Sequence, residues 1–338
     1  MKTEILLTHT AALFAAAVQR AAERLRAGEV VALPTETVYG LAANALDENA
    51  VAKIFEIKGR PAHNPIIIHV AGNEMAADCV EYFPALALKF SHAFWPGPLT
   101  LVLPRAQKIP GNVTAGGATV GVRWPSHPFM QAVIRACGFP LAAPSANLSN
   151  QISPTNANHV RAQLDGKISL IVDGGQSQVG IESTVLDLTI SPPRVLRPGM
   201  IHAESLAAVA AEFRIQNSEF KIKAEEKLRS PGMLAKHYSP KAKLVILNWS
   251  DESELASQLS TFNFQPSTTH LIAHTKIPGG FPAENVSVIP HDAEAFARAL
   301  YGELHRCDAA GAALIVVEAP PETPEWSGIA DRLRRAAA

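Results

Sequence analysis

The sequence predicts an α/β fold in two parts: a large domain on a twisted mixed sheet with flanking helices and a concave cavity, followed by a smaller, Rossmann-like α/β domain. Three observations carry this. Helix-period segments and strand-like apolar runs alternate through the first two thirds of the chain. Between Gln216 and Pro240 the alternation gives way to a polar, charged stretch with two Pro-containing turns. It then resumes for roughly one hundred residues, which is a normal domain size. The expected division is a catalytic domain over 1–213, a linker or lid over 214–240 and a small domain over 241–338. With 338 residues, 47% hydrophobic and 18% charged, the chain has apolar material for one large core and a second smaller one.

Each element has its own signal. From Thr10 to Ala27 apolar residues recur at helical spacing, Gly28 supplies a stop, and EVVALP reads as a buried strand. A helix over Glu48 to Lys58 ends at Gly59 and is followed by a strand at PIIIHV. Next come a helix near Ala85 to Phe94, strands at LTLVL and ATVGVRW, a helix near His127 to Cys137 and the strand PLAAPS. A helix near Asn156 to Leu164, strands at ISLIVDGG and STVLDL, the segment RVLRPG and a helix near Glu204 to Phe213 complete the first domain. Some strands follow one another too closely for a crossover helix, which favours a mixed sheet over a purely parallel one. In the second domain KLVILN, a helix near Asp251 to Leu259, THLIAHT, NVSVIP, a helix from Asp292 to Arg306, ALIVVEAP and a final Arg-rich helix alternate in the same way.

Charge and cysteine content narrow the function classes. Thirty basic residues against thirty-one acidic ones leave a net charge of -1, so the chain lacks the overall electrostatic footprint of a phosphate-backbone binder. Any anion site has to be local. Cys79, Cys137 and Cys307 are far apart and show no CxxC spacing, which suggests neither a disulfide framework nor a zinc site and fits a reducing, cytoplasmic location. The amino terminus carries Glu4 and Glu23 and no long apolar run, so neither a signal peptide nor a membrane span is expected.

The chemistry gathers in the turns after strands, where ligand sites of α/β sheets lie. PTETVYGLAANA, KGRPAHNPIIIHV, FWPGPLTLVL, VGVRWPSHP, APSANLSNQISPT, ESTVLDL and RPGM are such turns. Singly, each is what any turn requires in Gly, Pro, Ser and Asn. Together they supply the cations Lys58, Arg60, Arg123 and Arg197 and the hydroxyls of Thr35, Thr37, Ser145, Ser149, Ser153, Ser183 and Thr184. That inventory suits phosphates and a carboxylate, since converging charge-assisted hydrogen bonds can hold a triphosphate without a glycine-rich loop. The sequence has no GxxxxGK[ST], no GxGxxG after a strand, no HExxH and no GxSxG. Lys58 and Arg60 read as loop cations outside the core, so substituting them is expected to spare stability. Tyr39, Trp95 and Trp124 read as packing residues.

In this order, PTETVYGL, KxRP before NPIIIHV, WPGPLTLVL, VRWPxHP, APSANxS, ESTV and LRPG resemble the YrdC-domain family. PGMLAKHYSPKAKL and the small domain after it are similar to the long, two-domain threonylcarbamoyl-AMP synthase form of that family. The resemblance implies a cavity that binds ATP and L-threonine, with a linker reaching across its mouth. It places L-threonine near Thr35, His69, Arg123, the backbone of Ala143, and Ser183. It places ATP near Lys58, Arg60, Ala62, Thr119, Ser145, Asn147, Ser153, Arg197 and, from the linker, Tyr238. A guanidinium at Arg123 suits a carboxylate bidentately, whereas Lys58 suits a phosphate as a point charge. As a lone histidine, His69 reads as a satisfied, partly buried side chain, and the resemblance alone reverses that.

The implied activity is nucleotidyl transfer. L-Threonine, bicarbonate or carbon dioxide, and ATP would give threonylcarbamoyl-AMP and pyrophosphate, for threonylcarbamoyl-adenosine in tRNA. Lys58 and Arg60, with Arg197, would neutralise the leaving pyrophosphate, no covalent intermediate being needed. Mg2+ would ride on the ATP phosphates rather than in a protein cage. A downstream tRNA threonylcarbamoyl transferase machinery is the implied partner, with tRNA itself as a second candidate, and the linker would act as a lid flanked by Gly232 and Pro240. Two other readings stay open. One is an RNA-binding module using the same basic cavity without chemistry. The other is carbamoyl transfer or hydrolysis on another carbamoyl nucleotide.

Overall fold

Both stretches of alternating helix and strand are realised in a computed structural model, which describes residues 2–210, 216–217, 231, 238–262, 265–277 and 279–338. The chain forms two compact units, one of Met1–Ser149 with Ser153–Met233 and one of Asn150–Ile152 with Leu234–Ala338. The division falls inside the segment 214–240 expected to be the linker. Most of that segment, including Gly232 and His237, lies outside the described residues. The helix expected to reach Phe213 ends earlier, at Val209, with Ala210 as its C-cap.

The first unit runs β1 (Glu4–Leu7), α1 (Ala11–Arg26), β2 (Val31–Leu33), β3 (Gly40–Asn44), α2 (Glu48–Lys58), β4 (Ile67–His69), α3 (Asn73–Asp78) and α4 (Ala85–Phe94). It continues with β5 (Leu99–Pro104), β6 (Thr119–Arg123), α5 (Pro128–Cys137), β7 (Leu141–Ala142), α6 (Ala157–Leu164) and β8 (Leu170–Asp173). β9 (Thr184–Asp187), β10 (Arg194–Arg197), α7 (Ala203–Val209) and β11 (Gln216–Asn217) complete it. The strands form one sheet in the order β1-β8-β2-β3-β7-β4-β6-β5-β9-β10-β11. It is mixed: β4 and β6 run parallel, as do β5 and β9, whereas β2 with β3, β5 with β6, and β9 with β10 are antiparallel.

Period-two alternation decides which face each strand residue meets. Val31 and Leu33 pack with Val18, Leu25, Phe129 and Val133 on one side of the sheet. Ala32 between them packs with Ile54, Ile68, Phe90, Leu101 and Val122 on the other. Each such large apolar side chain contributes about 1.5–3 kcal/mol on burial. Local chemistry sets the helix ends. Asp47 accepts from the main-chain N–H groups of Asn49 and Ala50 to start α2, and Gly59, at φ 59°, stops it in the left-handed conformation. Pro128 opens α5, and Gly138, at φ 76°, ends it.

The second unit runs β12 (Lys243–Leu247), α8 (Glu252–Ser260), β13 (Thr269–Ala273), β14 (Val286–Val288), α9 (Ala293–Ala309), β15 (Leu314–Glu318) and α10 (Ser327–Ala337). Its sheet, β12-β15-β13-β14, is wholly parallel. THLIA and LIVVE are buried along their whole length, as expected of central parallel strands covered on both faces. Asp251 and Asp292 cap α8 and α9. Among the described residues no helix is long and apolar enough to cross a membrane.

Candidate active site

The tight turn between β2 and β3 carries the PTETVYG motif and is wired by its own hydroxyls. Thr35 Oγ1 donates to Val38 O at 2.6 Å and accepts from the main-chain N–H groups of Thr37, at 3.2 Å, and Val38, at 3.3 Å. Its one proton being committed, Thr37 Oγ1 is the donor across the 3.0 Å contact between the two hydroxyls. Thr37 Oγ1 in turn accepts from Arg123 Nη1 at 3.0 Å. Arg123, at the end of β6 and 4% exposed, also donates from Nε to Gly97 O at 3.2 Å. Its Nη2 meets Glu36 Oε1 at 2.7 Å, with both side chains buried.

His69 sits beside this guanidinium, because β4 and β6 pair in parallel with His69 opposite Arg123. Burial, with the positive charge of Arg123, pushes its imidazole down to about 3, so the ring is neutral, and the negative Glu36 only partly opposes this. Nδ1 of His69 has no hydrogen-bond partner among the described residues. The short strand β7 pairs antiparallel with β4, and Ala143, just beyond it, donates its main-chain N–H to Ile67 O at 3.1 Å. Thr35, His69, Arg123 and Ala143 are thus brought to one neighbourhood.

Lys58 and Arg60 correct an expectation. Neither is a solvent-exposed loop cation: Lys58 is 3% and Arg60 8% exposed. Lys58 Nζ donates to Ser145 O at 2.6 Å, Asn147 O at 2.5 Å and Asn147 Oδ1 at 3.2 Å, which clasps the APSAN turn to the end of α2. Burial and the neighbouring Arg60 hold its pKa well below the ordinary lysine value. Arg60 folds back on its own loop, donating to Asn64 O at 3.0 Å and Pro65 O at 2.7 Å. A charge fixed by main-chain carbonyls is part of the framework, so the premise that these residues are dispensable for folding does not hold.

Ser183, immediately before the TVLD strand β9, joins two groups of residues. Its Oγ accepts from Arg197 Nη2 at 3.1 Å and lies 2.8 Å from Thr100 Oγ1, while its carbonyl accepts from Arg197 Nε at 3.0 Å. Ser153 Oγ donates to Glu182 Oε1 at 2.6 Å, next in sequence. The RPG turn has to be tight here: a Cβ on Gly199 would stand 2.6 Å from Thr184 N and 2.8 Å from Glu182 O. A narrow cavity on the same strands is lined, among others, by Ile67, Thr100, Thr119, Gly121 and Val185.

Residues 23–199 match the family model described as telomere recombination, and residues 201–338 match that of the threonylcarbamoyl-AMP synthase C-terminal domain. A threonylcarbamoyl-AMP synthase of Pyrococcus abyssi is 40% identical over 319 residues, covering 94% of this chain and 92% of its own. The chain belongs to the threonylcarbamoyl-AMP synthase family. A Bacillus subtilis member is 41% identical over 323 residues, covering 95% and 92% of the two chains. The crystal structure of P. abyssi Sua5 complexed with L-threonine superposes with a TM-score of 0.90 at 38% identity, covering 99% of this chain and 98% of that one.

In this threonylcarbamoyl-AMP synthase family member the motif residues of the first unit fall into hydrogen-bonded groups: Thr35, Thr37 and Arg123; Lys58, Ser145 and Asn147; and Ser183 with Arg197. Ala62 lies in an exposed turn. Tyr238 belongs to the second unit, where it is buried at φ 64° with its ring 5.9 Å from that of Tyr301 and 5.3 Å from the Arg332 guanidinium. Tyr39 and Trp95 are packing residues as expected: Tyr39 Oη donates to Gly175 O at 2.7 Å, and Trp95 Nε1 to Leu99 O at 2.7 Å. Motif reading missed Glu36 and Asn64. Glu36 carried the one available signal, an acid flanked by two threonines in an otherwise apolar strand turn. Asn64 is 1% exposed, and neither its Oδ1 nor its Nδ2 has a partner among the described residues.

Proposed function

We propose that this chain catalyses the reaction for which its family is named, the adenylation of carboxylated L-threonine by ATP, for threonylcarbamoyl-adenosine in tRNA. The reading is carried above all by Ser183, which hydrogen-bonds Arg197 while its hydroxyl touches Thr100, a wall residue of the cavity. On this reading the amino-acid end lies at β4 and β6 and the nucleotide end at β9 and β10, strands of one sheet.

In the proposed complex the threonine carboxylate lies on Arg123 and its hydroxyl on the unpartnered Nδ1 of neutral His69, against the main chain at Ala143. Thr35 acts one step behind, through Thr37. The nucleotide base occupies the cavity that Thr119 helps to line, and its phosphates run past Ser183 toward Arg197. Bicarbonate or carbon dioxide combines with the amine to give a carbamate, whose oxygen attacks the α-phosphorus as pyrophosphate leaves in line. Arg197 meets the charge that develops. Lys58 and Arg60 act mainly by holding the Ser145–Asn147 turn and the residue 60–65 loop that frame the phosphates.

Magnesium enters with the nucleotide. Among the described residues no group of three or more His, Cys, Asp or Glu is placed to hold a metal, and a phosphate-borne ion would offset charge on the leaving group. The product, labile in water, passes to a tRNA-modifying transferase. The buried free thiols of Cys79, Cys137 and Cys307 accord with cytoplasmic work.

The test is to mix protein, ATP, Mg2+, bicarbonate and each amino acid in turn, then measure pyrophosphate and identify the adenylate by mass. Threonine-dependent pyrophosphate with threonylcarbamoyl-AMP is expected. Pyrophosphate release indifferent to the amino acid, or none, overturns the reading.

A further inference from the structure

Glu36 is a charged residue of the site that the reaction described above leaves without a role. It is 5% exposed, and its Oε1 is 2.7 Å from Arg123 Nη2. The groups that face it are the Arg123 guanidinium, the imidazoles of His69 and His127, and the main-chain N–H of Ser126. Burial works against its charge, but Arg123 and these donors hold the carboxyl below the usual carboxylate range, so it is an anion at neutral pH. His69 and His127 are both pushed down by burial and stay neutral. Among the described residues that face Glu36, Arg123 is the buried cation, and the two balance each other as an ion pair.

That balance restricts what can enter. A guanidinium has five N–H donors: the hydrogen bonds to Gly97 and Thr37 leave one on Nη1, while Nη2 meets Glu36 as an ion pair and, like both Glu36 carboxylate oxygens, makes no hydrogen bond among the described residues. A ligand that brings only a carboxylate would leave a surplus negative charge in a desolvated site, which is strongly unfavourable. A zwitterion brings its own compensating cation.

We propose that Glu36 receives the substrate ammonium, so that the Glu36–Arg123 pair selects a zwitterionic α-amino acid over the hydroxy acid of the same shape. The inference rests on the threonine reading and adds to it a binding residue and a reason for the substrate class. Glu36 meets the amine, Arg123 the carboxylate and His69 the side-chain hydroxyl, a three-point arrangement made by the ends of the adjacent strands β4 and β6 and the β2–β3 turn. Before the amine can react, its proton has to leave for solvent, because a carboxyl held below its usual range is a weak base.

The test is calorimetric binding of L-threonine and of its hydroxy-acid analogue, 2,3-dihydroxybutanoate, to the full chain and to Glu36→Gln. The wild-type protein is expected to prefer threonine. In Glu36→Gln threonine weakens roughly ten- to hundredfold, the loss of one charge-assisted hydrogen bond, while the hydroxy acid binds as well as before or better. If both ligands weaken alike, Glu36 merely holds Arg123 in place and the proposal fails. Unchanged threonine binding in Glu36→Gln also overturns it, while leaving the functional reading intact. Failure of the wild-type protein to bind threonine sinks that reading and this inference together. Should Glu36→Gln not fold, the wild-type comparison still decides, since equal affinity for the two ligands contradicts selection by charge.

Discussion

Lys58 and Asn147 are joined twice: the lysine Nζ donates to the asparagine main-chain oxygen at 2.5 Å and to its side-chain Oδ1 at 3.2 Å. With the third bond, to Ser145 O, the end of α2 and the APSAN turn behave as one piece. Lys58→Ala removes the donor and leaves buried carbonyl oxygens without it, so it should lower stability by about 1–3 kcal/mol as well as abolish adenylate formation. Urea denaturation run beside a pyrophosphate assay checks this. Full stability with lost activity would return Lys58 to a purely phosphate-binding role.

His69 should leave a signature in the pH dependence of stability. Its folded-state pKa is pushed down to about 3 by burial and by Arg123, whereas an unfolded histidine titrates near about 6.5. Between those values the unfolded chain binds a proton that the folded one refuses, so stability falls as pH drops, by about 1.4 kcal/mol per pH unit for one proton. His69→Gln should remove that one-proton part of the slope between pH 6 and pH 4 and, in the same variant, raise KM for threonine. Denaturation curves at several pH values decide, and an identical slope in both proteins would show that His69 titrates normally.

Helix ends and cations could be read from the sequence, whereas burial could not. α2 and α4 begin and end where periodicity put them, because Asp47, Gly59 and the Trp-Pro step at 95–96 are unambiguous punctuation. β1 escaped notice because EILL is a short edge strand with both ends exposed, and β3 because GLAAN is made of small residues with no β-branched signal. The mixed sheet was legible from strand spacing. Within the site, Arg123 and Arg197 stood out by charge and motif. The partners that fix them, Glu36 and the Ser183–Thr100 contact, depend on which strands become neighbours, and no local pattern carries that. Lys58 shows the same limit, since a helix-terminal lysine before a glycine looks solvated until the 145–147 turn folds over it.

Gly121 lines the cavity between Thr100 and Ile67. A Cβ there would meet Thr100 Cγ2 at 3.2 Å and Ile67 Cγ1 at 3.4 Å, both from residues that line the same space. Gly121→Val should therefore crowd the proposed base site, raising KM for ATP roughly tenfold or more while leaving threonine binding within about twofold by the same reckoning. Steady-state kinetics with each substrate varied, alongside calorimetry with threonine, separates the two. An equal loss for both substrates would point to a general distortion of β6, and unchanged ATP kinetics would move the base elsewhere.

In the second unit, Glu318 closes the end of the parallel sheet. Its Oε2 accepts from the main-chain N–H groups of His274, Thr275 and Lys276 at 2.7, 2.9 and 3.2 Å, and its Oε1 accepts from the Thr275 hydroxyl. Burial raises the carboxyl pKa, but these donors outweigh it and hold the group below its ordinary value. A carboxyl so depressed contributes stability that is complete above the unfolded value of about 4.3 and is lost as pH falls through the folded one. Glu318→Gln keeps the shape but loses the charge, so at neutral pH it should destabilise the unit by about 1–3 kcal/mol. The difference from wild type should shrink once the pH is low enough to protonate Glu318. Hydrogen exchange at the amides of 274–276 reports the change directly. Faster exchange at neutral pH is expected in the variant, and equal protection would mean that the carboxylate charge contributes nothing to the cap.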